Sequence, residues 1–338
     1  MSMQPRTYVP FDVFGMRDDV RVSTMVRVGD KGWTCGLCPL DAKARVVAPN
    51  DLTAQAAFVA DMIQAVFARA DFDVHDAAKL VIYHAAASVS ETQALLALFQ
   101  DRFPGGPVLV PVVVPYFYYG GMLLEVDAYA DASLQPRVTT ASGLVQVRRG
   151  RELTYVACDA EASADVNEVI AGTGVSTANP LVENAFWPRP LDHEAMSLAT
   201  SVILPETGGK GSAIIDWILC KDARVVQGSS AAFLTVAQAG DLFVLTATHP
   251  MPDVSLLDQA RAVMAQLDQA LKTCGLTWAH VVKVSAPYVG SGTEDDLHQN
   301  LKVRHSYHAL PGPASTGLPV QAFADSGCRI CVQLFAHR

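Results

Sequence analysis

Residues 53–84 read TAQAAFVADMIQAVFARADFDVHDAAKLVIYH, and residues 257–288 read LDQARAVMAQLDQALKTCGLTWAHVVKVSAPY. The two stretches share one register without a gap. A glutamine, an apolar residue and a lysine recur 204 positions apart: Gln55 and Gln259, Phe72 and Leu276, Lys79 and Lys283. Each stretch starts with apolar residues at helical spacing and ends in an apolar run that indicates a strand. A shared register across helix, turn and strand indicates an internal duplication.

The flanking residues extend each copy in the same order. A Gly-Asp pair at residues 29–30 and another at 240–241 predict strand-to-strand turns ahead of the two helices. A second helix is predicted from Ser90, and another after Thr293, where Thr293 as N-cap and Asp296 form a capping box. Closing strands are predicted at residues 108–115 and 121–130 in the first copy and at 318–324 and 328–337 in the second. This order predicts an α+β fold.

The stretch between the copies, residues 131–219, lacks the Gln-led helix. Residues 144–160 resemble the opening strand pair of a copy, so the stretch is either a degenerate middle copy, which we prefer, or an insertion. Residues 176–192, rich in Pro and Asn, predict an ordered loop, while 196–204 and 212–219 predict strands around a turn at 205–211. The predicted domains are therefore 1–130, 131–219 and 220–338.

Composition excludes several classes of protein. Half of the 338 residues are apolar and 17% are charged, which supplies an ample core. No apolar run reaches the roughly 18 residues that span a bilayer, and the N-terminus lacks a secretory apolar segment, so a cytoplasmic protein without a membrane partner is expected. Seven cysteines fit reduced thiols. A net charge of −9 opposes nucleic-acid binding.

The Gly-Asp turn, the Gln-led helix, the VVK-type strand ending in Tyr and the segment PGPAST at 311–316 resemble the Rid (YjgF) family. The resemblance covers roughly residues 18–130 and 220–338. It implies a chorismate-mutase-like α+β unit, three units around an axis and sites in the clefts between units. Two full copies and a middle segment would build that arrangement within one chain, as a monomeric pseudo-trimer or a homo-oligomer of it.

The end of the chain resembles one branch of that family, the chorismatases, which hydrolyse chorismate and release pyruvate. Asp325 followed by Cys328 and Arg329 resembles their D-x-C-R segment, and residues 180–184, PLVEN, resemble their P-V-E-N loop. The resemblance implies that Arg329 holds a substrate carboxylate, with a structural ion pair as the alternative. Their final strand carries a catalytic Glu, whereas this strand carries Gln333.

Side chains alternate along strands, so the closing strands divide into two faces. Ile330, Val332 and Leu334 form an aliphatic face, and the opposite face carries Arg329, Cys331, Gln333 and Phe335. Aligning the copies pairs Gln333 with Glu125, the position at which Rid deaminases hold a Glu, and only the carboxylate can exchange protons. The Arg that those deaminases place before the closing strand is Ser315 here, which counts against imine hydrolysis.

Four further features have alternative interpretations. Cys35 and Cys38 form a CxxC, but no second ligand pair is present and the Rid strand end explains the spacing, so no metal is predicted and Cys35 faces a cleft. His249 stands at the place of Cys38 in the second copy and is a candidate general base. Tyr118, within an aromatic run at 116–119, lines a pocket or packs at a strand edge. Arg304 and His305 end a helix, where cations suit the macrodipole.

Together these features predict a cofactor-free enzyme acting on a small anionic substrate. The leading hypothesis is a chorismatase-like hydrolase or lyase of secondary metabolism, acting on a carboxylate-bearing enol ether or unsaturated acid. The candidate proton-transfer residues are Glu125, Cys35, Tyr118 and His249, and the candidate substrate-binding residues are Arg329, Gln333, Cys331 and Ser315. The alternatives are an imine or enamine deaminase and a non-catalytic small-molecule-binding protein.

Overall fold

The first sheet comprises the N-terminal part of the chain. The computed structural model describes residues 3–140, 143–171, 174–187, 200–203, 213–229 and 233–338. The N-terminal strands and helices are β1 Arg6–Pro10, β2 Ser23–Val28, β3 Lys31–Thr34, α1 Leu52–Arg69, β4 Ala77–His84, α2 Val89–Arg102, β5 Val108–Val113 and β6 Leu124–Asp131. The sheet order is β1-β2-β3-β6-β4-β5, with β4 and β5 parallel and the other pairs antiparallel.

The middle part forms a second sheet. Its elements are β7 Val138–Thr139, β8 Val145–Arg149, β9 Leu153–Asp159, α3 Ser163–Val169, β10 Val182–Trp187, β11 Thr200–Ile203 and β12 Ile214–Cys220. Read from β7, the order is β7-β8-β9-β12-β10-β11, and β10 and β11 are parallel. The expectation of an ordered loop at 176–192 is wrong at 182–187, because β10 lies inside the sheet with neighbours on both sides. The predicted turn at 205–211 lies outside the described residues.

The C-terminal part forms the third sheet. Its elements are β13 Arg224–Ser229, β14 Leu234–Ala239, β15 Leu242–Thr248, α4 Leu256–Thr273, β16 Val281–Tyr288, α5 Glu294–His305, β17 Ala314–Pro319, β18 Ala322–Phe323 and β19 Cys331–His337. The order is β13-β14-β15-β19-β16-β17. The short strand β18 leaves this sheet and pairs with β11, so the C-terminal part completes the edge of the middle sheet.

The three sheets have one topology. Across each sheet, the opening hairpin lies next to the last strand of the unit, which is β6, β12 or β19. Beyond it lies the strand that follows the first helix, which is β4, β10 or β16, and then the parallel neighbour of that strand. The middle sheet therefore favours a degenerate copy over an insertion, with the seven-residue α3 in place of the 18-residue α1 and α4. We propose that the units divide at 1–130, 131–219 and 220–338, each cut falling one residue before the end of β6 or β12.

The glutamine that leads each long helix has a packing role. Gln55 is fully buried, its Nε2 donates to the carbonyls of Ala48 and Gly121, and its Oε1 accepts from the Leu123 N–H. Gln259 repeats these bonds with Met251, Gly327 and Arg329. The amide thus joins the start of the helix to the loop before the closing strand. Buried polar groups require such partners, which explains why both copies keep the glutamine.

Each sheet has a helix-covered face and an inner face. Val126, Val332 and the other aliphatic residues predicted on one face of the closing strands pack under α1 and α4, as expected. The inner faces of all three sheets meet in one central core, with Trp33, Tyr155 and Phe335 from the three units. The molecule is therefore a single-chain arrangement of three α+β units around a common core.

The start of α5 and the absence of a membrane-spanning helix among the described residues are two further features of the fold. Helix α5 begins after Thr293 as predicted, but the Thr293 side chain makes no cap hydrogen bond, and Asp296 instead accepts from the Ser291 hydroxyl at 2.6 Å. The predicted capping box is therefore wrong. No helix among the described residues is both long and apolar enough to span a bilayer.

Candidate functional site

Strand pairing gives the residue equivalences between units. Tyr129 lies opposite Trp33 on the neighbouring strand, Ile218 opposite Tyr155, and Phe335 opposite Val244. Counting two residues back along each closing strand makes Asp127, Asp216 and Gln333 equivalent. Counting four residues back makes Glu125, Ile214 and Cys331 equivalent. The expected pairing of Gln333 with Glu125 is therefore wrong by two residues. A shift of two keeps every side chain on its face, so the alternating pattern alone could not detect the error.

A cleft lies between the N-terminal and C-terminal units. It encloses about 500 Å³, part of it open to solvent. The N-terminal unit contributes β6, the segment after β3 and the loop before β6, and the C-terminal unit contributes α5 and β17. The polar and thiol side chains on its wall are Cys35, Cys38, Tyr118, Tyr119, Glu125, His305 and Ser315.

Glu125 is the acidic residue of this cleft. Its side chain is 4% exposed and lies against Gly36, where a Cβ atom would come within 1.7 Å of Glu125 Oε1. Burial, followed by the nearby Asp127 carboxylate, raises the pKa of Glu125 to about 8, against the opposing effects of Lys283 and of a hydrogen bond from Cys38. Glu125 is thus largely protonated at neutral pH and can donate a proton.

A buried ion pair lies next to Glu125. Lys283 Nζ donates to Asp127 Oδ1 at 2.7 Å, to Thr316 Oγ1 at 2.6 Å and to the Thr34 carbonyl at 2.8 Å. Lys283 and Asp127 come from different units, so this pair joins the C-terminal and N-terminal units beneath the cleft. Because Lys283 has three acceptors, the network holds the strands that carry Glu125 and Ser315 in fixed register.

Tyr118 connects the two walls of the cleft. Its hydroxyl donates to the Gly317 carbonyl at 2.6 Å, and its ring stacks on Tyr288 with centroids 6.1 Å apart. Burial raises the pKa of Tyr118 well above its usual value, so the phenol stays protonated. Tyr118 therefore links the N-terminal wall of the cleft to β17 of the C-terminal unit.

The segment between β1 and β2 covers the cleft with apolar side chains, namely Phe11, Phe14, Met16, Val20 and Val22. Its charged residues bind α5. Arg17 lies 3.0 Å from Asp295, and Asp18 lies 3.1 Å from Lys302. The cleft therefore combines a mostly apolar wall with a few polar groups, the composition typical of small-molecule sites.

The structure brings together four of the predicted site residues: Glu125, Cys35, Tyr118 and Ser315 line the cleft. Cys331 and Gln333 instead line a separate central cavity of about 620 Å³ between the three sheets. Arg329 precedes β19 and is exposed, and His249 is half-buried just after β15, so neither lines the cleft. The expectation that Arg329 and Gln333 share one site face is therefore wrong, because β19 begins only at Cys331.

Sequence reasoning missed several residues that line the cleft or lie directly behind its wall. Arg304, interpreted as a helix-end cation, is fully buried and donates to Ser315 Oγ at 3.1 Å. A signal was present, since Leu297, Leu301 and Arg304 follow the inward stripe of a helix at i, i+4 and i+7. The apolar cover at 11–22 gave no such signal, because its residues are irregularly spaced and meet the cleft only through tertiary packing.

The CxxC sits in the cleft wall. Cys35 is buried and Cys38 half-buried, and burial raises the thiol pKa of both. Neither is a thiolate at neutral pH, and the thiolate is the form that binds metals and attacks electrophiles. Among the residues that the structure describes, no group of three His, Cys, Asp or Glu side chains is placed to hold a metal ion.

Comparison with solved structures identifies the fold. A chorismatase crystal structure aligns with a TM-score of 0.50 at 8% identity, covering 78% of this chain and 93% of that one. The chain has the chorismatase fold. A Mycobacterium tuberculosis member of the YjgF/YER057c/UK114 family aligns with a TM-score of 0.31 at 21% identity, covering 38% of this chain and 99% of that protein. The yeast protein YEO7 gives 0.33 at 16%, covering 38% and 98%. Neither a family model nor a curated protein matches the sequence.

Proposed function

We propose that this protein is a cofactor-free enzyme that hydrolyses a small carboxylate-bearing enol ether, or a related unsaturated acid, in the cleft between its N-terminal and C-terminal units. The observation that carries the proposal is Glu125, a buried carboxyl group facing the cleft with its pKa raised to about 8. An acid with a pKa near the working pH is suited to general acid catalysis. The chorismatase fold agrees with this class of reaction without identifying the substrate.

The proposed reaction begins with proton transfer from Glu125 to the terminal carbon of the enol ether. The electron pair of the carbon–carbon double bond forms the new C–H bond, and positive charge develops on the ether carbon and its oxygen. Water adds to that carbon and returns a proton to the Glu125 carboxylate. The resulting hemiketal breaks its C–O bond to release a keto acid and an alcohol, so no oxidant, reductant or metal is required.

The remaining cleft residues suit binding of the substrate. Tyr118, Cys35 and Cys38 keep their protons at neutral pH, so none of them competes with Glu125 as a base, and the Cys35 thiol can donate to a substrate. Ser315 provides a hydroxyl at the opposite wall. Arg329 remains the alternative anchor for a substrate carboxylate, although it would bind at the surface rather than in this cleft.

Incubation with chorismate, with released pyruvate measured by coupled lactate dehydrogenase, tests the proposal. The wild type should release pyruvate, and Glu125→Gln, which keeps the shape but has no acidic proton, should lose at least about a hundredfold in rate. Cys331→Ala changes the equivalent position of the C-terminal unit and should retain activity. A fully active Glu125→Gln would exclude this mechanism.

An imine or enamine deaminase is the second candidate. Protonation of an enamine carbon needs the same buried acid, so Glu125 serves either reaction. Ammonia release from an imine generated by an amino-acid oxidase, without pyruvate release from chorismate, would favour it. Binding of substrate-like acids without turnover of either compound would favour a non-catalytic binding protein.

A further inference from the structure

Arg304 is a buried cation without an anionic partner. Its side chain is fully buried at the end of α5, where Nε donates to Asn300 Oδ1 at 2.9 Å and Nη1 to Ser315 Oγ at 3.1 Å. Nη2 has no hydrogen-bond partner within the described part of the chain. Among the described residues, no carboxylate forms an ion pair with Arg304. An uncompensated buried charge is costly, so the arrangement points to an anion supplied from outside the chain.

The unpaired nitrogen lies directly behind the wall of the cleft. A Cβ atom built on Gly317 would come within 2.5 Å of Arg304 Nη2, so only glycine leaves room for the guanidinium there. Gly317 and Ser315 both line the cleft, and they alternate on β17 with Thr316, which faces Lys283. The positive charge is therefore separated from the cleft by a serine hydroxyl and a glycine backbone.

Ser315 is oriented by this contact. A hydroxyl has one proton to donate and lone pairs to accept with. Because Arg304 Nη1 donates to Ser315 Oγ, the arginine occupies a lone pair, and the hydroxyl proton is left to donate elsewhere. Hydrogen bonds that involve an ionised group are stronger than neutral ones, and the charge behind Ser315 polarises its O–H bond.

We propose that Arg304 and Ser315 form the anion subsite of the cleft. The Ser315 hydroxyl donates to the carboxylate of the substrate, and Arg304 is a positioning residue that supplies positive charge from behind the wall. This inference deepens the proposed function, on which its assignment to a substrate rests. It specifies one carboxylate group at this subsite, attached to an apolar part of the substrate, because Phe14, Leu297 and Leu301 form the rest of the nearby wall.

Binding of benzoate tests the subsite without requiring turnover. Benzoate carries a carboxylate on an apolar ring, and benzamide is its neutral control. Calorimetry on the full-length protein should show benzoate affinity falling at least about tenfold in Arg304→Met and in Ser315→Ala, with benzamide affinity unchanged. Arg261→Met removes an exposed arginine on α4, away from the cleft, and should leave benzoate binding as in the wild type.

Stability separates this role from a structural one. Arg304→Met replaces a buried cation by an apolar chain of similar length, so its melting temperature should equal or exceed that of the wild type. Arg304→Lys keeps the charge without the fork and should restore benzoate binding only in part. Unchanged benzoate affinity in Arg304→Met, or absence of benzoate binding by the wild type at millimolar concentration, would overturn the inference. Arg304-dependent benzoate binding with no turnover of chorismate would leave the subsite intact and refute the proposed reaction.

Discussion

The three unit interfaces share one backbone geometry and differ in the side chains that could do chemistry. At one position of the closing strand, the interface between the C-terminal and N-terminal units has Glu125, and the equivalent residues elsewhere are Ile214 and Cys331. Gly36 lies against Glu125 and makes room for its carboxyl group at this interface. Strand order thus fixes the fold at all three interfaces, and a few residues confine the acid to one of them.

The position two residues further along shows a second difference. Lys79 of the N-terminal unit binds Asp216 of the middle unit, with both carboxylate oxygens 2.9 Å from Nζ, and Lys283 binds Asp127 at 2.7 Å. At the third interface, the residue equivalent to Lys79 is Val182 and the residue equivalent to Asp216 is Gln333. The third interface therefore lacks both the lysine and the aspartate. This is expected, because one buried charge without its partner would be costly.

The largest effect is expected on breaking one of these pairs. Asp216→Gln leaves the Lys79 ammonium buried without its carboxylate and should lower the free energy of unfolding by about 3–5 kcal/mol in urea titrations. The double variant Lys79→Val with Asp216→Gln reproduces the third interface and should recover most of that loss. A double variant no more stable than the single one would show that the Val182 and Gln333 arrangement does not transfer between interfaces.

An effect of comparable size, but dependent on pH, is expected from Glu125. The folded protein keeps the Glu125 proton up to about pH 8, whereas an unfolded glutamate releases it near its usual pKa of 4.5. Unfolding therefore releases a proton between these values, and wild-type stability falls as pH rises through this window, by about 5 kcal/mol in total.

Glu125→Gln lacks this titration. Its free energy of unfolding should approach or fall below that of the wild type at pH 5 and exceed it at pH 9, as measured by urea denaturation at both values. The exposed Glu168→Gln on α3 is the matched control. Parallel curves for the wild type and Glu125→Gln would mean that the carboxyl group is not held protonated in the cleft.

Much of the fold was predictable, because helix periodicity, the Gly-Asp turns and the repeated Gln and Lys are local signals that packing did not override. Strand β10 was missed because its Pro- and Asn-rich flanks are typical of loops. Its place inside the sheet depends on pairing with β12, which lies about 30 residues further along the chain. At the site, Glu125, Cys35, Tyr118 and Ser315 were predicted. Arg304 was not predicted, because a cation at the end of a helix is explained by the helix macrodipole. The burial of Arg304 depends on its contact with β17, which the helix sequence alone does not indicate.

A further test exchanges the residue beneath the acid. Gly36→Ala places a Cβ atom where Glu125 Oε1 now lies, so the carboxyl group must move. We expect a loss of stability of about 1–3 kcal/mol from overpacking, together with loss of any Glu125-dependent activity. Adding Glu125→Cys shortens the side chain that the new Cβ atom meets, so the double variant should recover stability but not activity. Full activity of Gly36→Ala in the chorismate assay would show that Glu125 need not occupy its observed position.

The smallest expected effect distinguishes Cys38 from its counterpart His249. The hydrogen bond from the Cys38 thiol lowers the pKa of Glu125 in the cleft, so Cys38→Ala should raise that pKa, by less than about one unit for a weak thiol donor. The pH midpoint of the Glu125-dependent stability loss should move upward by that amount. His249→Ala, at the equivalent strand end but outside the cleft, should leave the midpoint in place. If His249→Ala shifted the midpoint and Cys38→Ala did not, the pKa of Glu125 would depend on a residue outside the cleft. The titration of Glu125 could then no longer be explained by the interface between the N-terminal and C-terminal units alone.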